Sequence, residues 1–258
     1  MLDKTRNTTL LEQTQSIVRQ VSDIYTHHTQ QWFIGLVVHG SAVKGGFMEG
    51  WSDIDFQLYL EDSAIIENGQ LPLELCLSIH KELSQINPFP YQYIQTRILT
   101  PSKARYGGLV PNTYELVKGR LLLPELTNEE LFERAQIDLN ELNPEKIFLT
   151  ENLLEHGDDR LQKTVRAFCT AVWPAMYQLL TIQNNDGIRI WGLTKFQAVR
   201  LLPINTSLGR TIHTFHETVL KYSLNKLSVV DALNVIETGN DFLQNVKGWW
   251  NESKGVIN

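Results

Sequence analysis

Residues 39–61 of this 258-residue chain read HGSAVKGGFMEGWSDIDFQLYLE, and they decide which fold the sequence predicts. The stretch begins at the end of FIGLVVH (33–39), a continuous apolar run typical of a strand covered on both faces. A Gly-Ser pair and a glycine-rich link of eleven residues lead into IDFQLYLE (54–61), where apolar and polar residues alternate as in a strand. The pattern therefore predicts two strands joined by a loop that contains candidate functional residues.

Asp53 and Asp55 stand two residues apart at the start of the second strand, so their carboxylates share one face. Neighbouring carboxylates repel each other unless a cation lies between them, and Mg²⁺ prefers such oxygen ligands together with phosphate oxygens. Gly40 lets the backbone approach a ligand closely, Ser41 offers a hydroxyl and an N–H group, and Lys44 supplies a counter-charge to phosphate. Each feature alone is common in ordinary turns, but their order in one stretch is specific.

This arrangement resembles the motif of the nucleotidyltransferase superfamily typified by DNA polymerase β, and it looks closest to the antibiotic-modifying branch, the aminoglycoside nucleotidyltransferases. The resemblance implies a nucleoside triphosphate, ATP or another, held by the loop, and Mg²⁺ held by the two aspartates. It implies transfer of a nucleoside monophosphate to a hydroxyl, with pyrophosphate released. The resemblance assigns catalysis and metal binding to Asp53 and Asp55. The nucleotide-binding residues are then Gly40, Ser41, Lys44 and Ser52.

The chain departs from that superfamily at a third position, where many members carry another carboxylate on a later strand. The candidate strand YQYIQTRIL (91–99) offers glutamines, and Gln95 is the best match. Glutamine can ligate through its carbonyl oxygen but cannot take up a proton. Either the base comes from elsewhere, or the activity is weak, or the chain binds nucleotide without turning it over. Candidates for a displaced base are Glu115, Glu151, Glu155, Asp158 and Asp159.

The chain changes character near residue 124, where strand-like patterns give way to helical periodicity almost throughout. The expected fold class is α+β, with a small mixed-sheet nucleotidyltransferase domain over residues 1–124 and flanking helices. An all-helical, acceptor-binding domain is expected over residues 125–258. The predicted strands cover residues 33–39, 54–61, 91–99 and 114–123, and the helices of the first domain cover 8–29 and 72–86.

Three local expectations concern helices. In helix 72–86 the apolar positions recur at helical spacing and are expected to face the core: Leu73, Cys76, Leu77, His80 and Leu83. Cys76 and Cys169 are both expected to be buried. Pro174 is expected to kink or end a helix over residues 158–183, because proline cannot donate the helical hydrogen bond.

Composition limits the partners. The net charge of −6 disfavours extended nucleic-acid binding, which needs clustered Lys and Arg. Two cysteines without paired spacing argue against a disulfide framework. The polar first residues and the lack of an apolar run of about 20 residues predict a cytoplasmic protein without membrane contact. Residues 125–160 hold eleven acids against three bases, either as solvated helix faces or as a wall that attracts a cationic acceptor.

The leading hypothesis is therefore a Mg²⁺-dependent, adenylyltransferase-like enzyme that moves AMP or another nucleoside monophosphate from an NTP to a hydroxyl of a small molecule. An aminoglycoside-like antibiotic is the acceptor that the resemblance favours. Two alternatives stay open: nucleotidylation of a protein partner, and a catalytically silent nucleotide-binding homologue without the third carboxylate.

Overall fold

The computed structural model describes residues 4–104, 107–147, 150–157 and 159–257, and the chain divides into two compact units, Met1–Leu126 and Thr127–Asn258. The first unit contains helices α1 (Lys4–Thr29), α2 (Ser41–Lys44) and α3 (Leu73–Leu83), and strands β1 (Phe33–His39), β2 (Ile54–Leu60), β3 (Ile94–Leu99) and β4 (Tyr114–Gly119). The second contains helices α4 (Asn128–Glu141), α5 (Pro144–Ile147), α6 (Arg160–Asn184), α7 (Gly187–Gly192), α8 (Lys195–Val199), α9 (Ser207–Leu224) and α10 (Val229–Ile257).

The four strands form one mixed sheet in the order β3-β2-β1-β4, which confirms the predicted α+β class. Strand β1 runs antiparallel to β2 and to β4, whereas β2 and β3 are parallel. Residues directly opposite each other on neighbouring strands share a face of the sheet. The register places Asp55 opposite His39 on one side and Gln95 on the other.

One face of this sheet is covered by α1. Ile17, Val21 and Tyr25 are buried on the helix, one turn apart, and they join the same apolar cluster as Leu36 and Phe56 of the sheet. Burial of a side chain of this size contributes about 1.5–3 kcal/mol, so the cluster fixes α1 on the sheet. The other face carries a smaller cluster that includes Val37, Tyr59, Leu99, Leu109 and Leu123.

Helix α3 forms where predicted, but it turns a different face to the core. Cys76 is exposed, and the side chains of Leu73 and Leu77 are 70% and 60% exposed. The buried position is Ile79, flanked at helical spacing by the half-buried Leu75 and Leu83. The helix carries two interleaved apolar stripes, and only the one through Ile79 reaches the sheet cluster. The prediction that Cys76 is buried is therefore wrong, whereas Cys169 is buried as expected.

Strands β3 and β4 are shorter than predicted, for local reasons. Before β3, the Tyr91 amide donates to the Pro88 carbonyl in a turn, so regular strand pairing begins only at Ile94. Strand β4 ends at Gly119, whose φ of 80° is a conformation that side chains with a Cβ rarely adopt. A Cβ at this position would overlap the Ile34 carbonyl oxygen, so glycine allows the close approach of β4 to β1.

The second unit is a helical bundle in which α6 packs against α4, α7, α8 and α10, and α9 packs against α10. A capping box opens α4: the Glu130 amide donates to Thr127 Oγ1 at 3.2 Å, and the Thr127 amide donates to Glu130 Oε2 at 2.9 Å. Such a cap stabilises a helix by about 1 kcal/mol. Helix α6 does not end near Trp173 but continues through Pro174 to Asn184.

Burial on both sides of this proline accounts for the continuation. Trp173, Ala175, Met176 and Tyr177 are all buried, so packing outweighs the one hydrogen bond that proline removes. None of the helices in the described ranges combines the length and the apolarity needed to cross a bilayer.

Candidate functional site

The Gly-Ser turn lies directly beside Asp55. Gly40 follows the last residue of β1 with φ 73° and ψ −138°, and its amide donates to the Thr113 carbonyl at 2.9 Å. A Cβ built on Gly40 would lie 3.3 Å from Asp55 Oδ2, so the bare backbone of this turn faces the carboxylate. Two parts of the predicted motif that are fifteen residues apart in sequence are therefore adjacent in space.

The two aspartates share the face of the sheet that also carries Gln95. Asp55 lies in β2 opposite Gln95, and Asp53 lies just before the strand. The Tyr93 hydroxyl is 2.9 Å from Asp53 Oδ2 and 3.1 Å from Gln95 Oε1. Because a phenol has one proton, it donates to one of these oxygens at a time. The Tyr93 hydroxyl therefore lies between Asp53 and Gln95, the residue predicted to stand at the third carboxylate position.

One imidazole, that of His39, and one guanidinium, that of Arg97, lie near the aspartates. His39 is opposite Asp55 in β1, and Arg97 is two residues beyond Gln95 on β3, so alternation places it on the same face. Burial lowers the pKa of His39 below its usual value, an effect that Asp53 opposes and Arg97 reinforces. The imidazole is therefore neutral at pH 7, and the positive charge on this face comes from the guanidinium.

The link between the strands is held by Ser52, which is buried. Its hydroxyl oxygen accepts from the Met48 amide at 2.9 Å, and its carbonyl accepts from the Gln92 amide at 2.8 Å. Trp51 is buried as well, with 4% exposure. In the described structure Ser52 therefore supports the loop from inside, whereas Ser41 and Lys44 are half-buried at the two ends of α2. The role of Ser52 in binding nucleotide stays a prediction.

Glu115 does not join the aspartates. It lies opposite Val38 on β4, one residue along from the pair formed by Tyr114 and His39, so it faces the other side of the sheet. There it lines a cavity of about 450 Å³ together with residues of α1. The remaining candidate bases Glu151, Glu155 and Asp159 belong to the second unit, and Asp158 lies outside the described residues.

Sequence reasoning missed Tyr93 and Arg97 as members of this group. The available signal was alternation: residues 93, 95 and 97 of one strand point to one face, so the placement of Gln95 also places its two neighbours. The whole arrangement is a pair of half-buried carboxylates with a glycine backbone against one and a phenol against the other. A guanidinium and a neutral imidazole complete the face.

No protein-family model matches the chain, and a search of curated proteins finds no match. Among solved structures, the spectinomycin adenyltransferase AAD(9) from Enterococcus faecialis, determined with ATP and spectinomycin, matches 90% of this chain and 98% of its own. The TM-score is 0.52 and the sequence identity is 14%. The two chains share a fold. The resemblance that the motif indicates is thus confirmed at the level of the fold, and the match extends over both units.

Proposed function

We propose that the chain is a Mg²⁺-dependent nucleotidyltransferase that transfers a nucleoside monophosphate from an NTP to a hydroxyl of a small molecule. The observation that carries this proposal is the contact geometry of Gly40 and Asp55, in which an open glycine backbone lies against a metal-ligating type of side chain. A fold shared with an ATP-bound adenyltransferase supports the same conclusion.

The residues fit a magnesium ion. Asp53 and Asp55 offer hard oxygen ligands on one face, and the absence of a Cβ on Gly40 leaves space next to Asp55 Oδ2 for phosphate and water oxygens. When bound there, the ion neutralises triphosphate charge and lowers the pKa of an incoming hydroxyl. The two carboxylates hold and orient it, and the Tyr93 hydrogen bond fixes the side chain of Asp53.

The cations of the site suit the donor nucleotide. Lys44 lies one helical turn after Ser41 on α2, and this spacing supports a joint role of the two residues in binding phosphate oxygens near the Gly-Ser turn. Arg97 offers a planar guanidinium on the face of the two aspartates, and that group can bind phosphate with two parallel hydrogen bonds. Positioning and charge neutralisation by such groups supply most of the rate acceleration in phosphoryl transfer.

A cavity in the helical unit supports the proposal of a small, positively charged acceptor molecule. It contains a cavity of about 650 Å³, within the usual range for sites that bind small molecules. Two carboxylates, Glu145 and Glu237, line it beside the Phe168 ring and the Asn240 amide. Carboxylates and amides recognise amino and hydroxyl groups, which together are the chemistry of an aminocyclitol.

A catalytically silent nucleotide-binding protein is the second candidate, and Gln95 favours it. The position opposite Asp55 holds an amide, which accepts hydrogen bonds but no proton. In an active enzyme the acceptor hydroxyl would therefore lose its proton to another group. This alternative keeps the metal and nucleotide site and removes only turnover.

A screen for pyrophosphate release tests both candidates. Each of the four NTPs is incubated with Mg²⁺ and a panel of aminocyclitol and aminoglycoside acceptors, and nucleotide binding is measured in parallel by calorimetry. We expect release with at least one acceptor, and its loss in Asp53→Asn and Asp55→Asn. Glu61→Gln is the matched control, because this exposed acid directly follows the same strand. Binding without release supports the silent homologue, and failure to bind any NTP with Mg²⁺ contradicts both.

A further inference from the structure

We propose that the C-terminal ends of α1 and α3 form a second metal site, which binds Zn²⁺ and related transition-metal cations. Its ligands are His27, His28 and Glu82. One ligating atom from each of these side chains lies within 4.8 Å of the others. Within the described residues, this is the one place where three histidine, cysteine or acidic side chains converge in this way. The site is independent of the proposed nucleotidyl transfer.

The donor set differs in kind from that of the two aspartates. Two imidazole nitrogens and one carboxylate oxygen suit zinc and related transition metals, whereas Mg²⁺ takes oxygen ligands. Three protein ligands leave the fourth tetrahedral position to water or another small ligand. The two sites should therefore separate by metal: Zn²⁺ or Co²⁺ at the histidines, and Mg²⁺ with nucleotide at Asp53 and Asp55.

The helix ends favour a cation here. His27 and His28 lie in the last turn of α1, and Glu82 is the last but one residue of α3. The final carbonyls of a helix carry partial negative charge, which stabilises positive charge placed beside them. Helices α1 and α3 also pack against each other, so the fold has already brought together ligands that are 54 residues apart.

Only small movements are needed to reach ligating geometry. His28 Nε2 and Glu82 Oε1 are 2.8 Å apart, and the His28 side chain is 15% exposed, so one ligand is held firmly. Tetrahedral zinc with bonds of about 2.0–2.1 Å places its ligand atoms about 3.3 Å apart. The His28–Glu82 pair therefore opens by about 0.5 Å, and the other two separations, which are at most 4.8 Å, close by at most about 1.5 Å. Rotation of the exposed side chains of His27 and Glu82 can supply these movements.

His27 separates this proposal from a simple ion pair. A hydrogen bond between His28 and Glu82 would link the two helices without any metal, and it needs no third residue. His27 contacts the pair only through its ring, which lies edge-on to that of His28 with centroids 5.1 Å apart. If only the pair matters, replacing His27 removes this ring contact but leaves the Zn²⁺ affinity unchanged.

The test is a metal titration of the full-length protein without a histidine tag. Zn²⁺ affinity is measured by competition with a chromophoric chelator, and Co²⁺ is added separately because its visible absorption reports tetrahedral nitrogen and oxygen ligation. We expect one site in the wild type, weakened at least about 10-fold in His27→Gln and in Glu82→Gln. Because both residues are exposed, circular dichroism should show that these variants keep the fold.

Two further variants serve as controls. His80→Gln removes an exposed histidine of α3 that is outside the proposed zinc site, and Asp53→Asn removes a ligand of the proposed magnesium site. Both should bind Zn²⁺ as the wild type does. Unchanged Zn²⁺ affinity in His27→Gln, or loss of the site in His80→Gln rather than in His27→Gln, overturns the proposal. So does a wild-type protein without a Zn²⁺ site in the micromolar range.

Discussion

Replacing Gly40 by alanine tests the contact between the Gly-Ser turn and Asp55. Gly40 has φ 73° and ψ −138°, a conformation that costs residues with a Cβ about 1–3 kcal/mol. The new Cβ would lie 3.3 Å from Asp55 Oδ2, closer than an ordinary van der Waals contact, so the carboxylate must move by a few tenths of an ångström. Metal–ligand distances tolerate only about 0.2 Å, so Mg²⁺ binding should suffer beyond the loss of stability.

Gly45 provides the matched control for backbone strain. Its φ of 81° and ψ of −174° are as unfavourable for alanine, but an added Cβ meets no heavy atom of the described chain within 4 Å. Gly40→Ala and Gly45→Ala should therefore lose similar free energy of unfolding, about 1–3 kcal/mol each. Only Gly40→Ala should also weaken Mg²⁺-dependent ATP binding, by at least about 10-fold.

Urea denaturation followed by tryptophan fluorescence gives the free energies of unfolding, and calorimetry with ATP and Mg²⁺ gives the affinities. Affinities are compared under conditions in which both variants are fully folded. If the two variants bind Mg²⁺ and ATP equally well, then Asp55 does not ligate the metal or the turn does not constrain it. Equal binding would therefore refute the assignment of Gly40 and Asp55 to the metal and nucleotide site.

Three other predictions follow from single side chains. Gln95→Glu should raise the rate of pyrophosphate release by about 10²–10⁴, the usual contribution of a general base, and an unchanged rate would mean that the base lies elsewhere. Burial raises the pKa of the Cys169 thiol to about 12 whereas Cys76 is exposed, so an aromatic disulfide reagent should titrate one thiol in the native protein and two in urea. Burial, helped by nearby positive charge, lowers the pKa of His216, so the folded state favours the neutral ring. The stability that this residue contributes is complete above about pH 6.5 and is lost as the pH falls, by at most about 1.4 kcal/mol per pH unit. The free energy of unfolding, measured with urea at several pH values between 7.5 and 5, should therefore fall less steeply with pH in His216→Gln than in the wild type.

Local patterns were sufficient for the parts of the fold that one segment decides alone. The run 33–39 and the alternation from residue 54 predict β1 and β2 almost to the residue, because burial on two faces or on one leaves a direct mark on the sequence. The capping box at Thr127 is equally local, since its two hydrogen bonds span three residues.

Tertiary context decided the rest. Helix α3 has two apolar stripes of similar strength, and only packing against the sheet selects the one through Ile79. Ser52 belongs to the motif by position, but its burial follows from hydrogen bonds to Met48 and Gln92, and the second of these is distant in sequence. The partnership of Tyr93 with Asp53 depends on the parallel register of β2 and β3, which no pattern within either strand reveals.

Under the proposed function, the register predicts that the missing carboxylate affects binding less than turnover. Asp55 is held by pairing with β1 and β3, and Gly40 lies against it, so the proposed metal-binding geometry rests on the backbone as well as on the side chain opposite Asp55. Gln95 keeps an oxygen at hydrogen-bond distance from Tyr93, which preserves the link to Asp53 while the capacity to take up a proton is absent. A nucleotide site of this kind can therefore stay intact when catalysis is slow, and one substitution at residue 95 should separate the two properties.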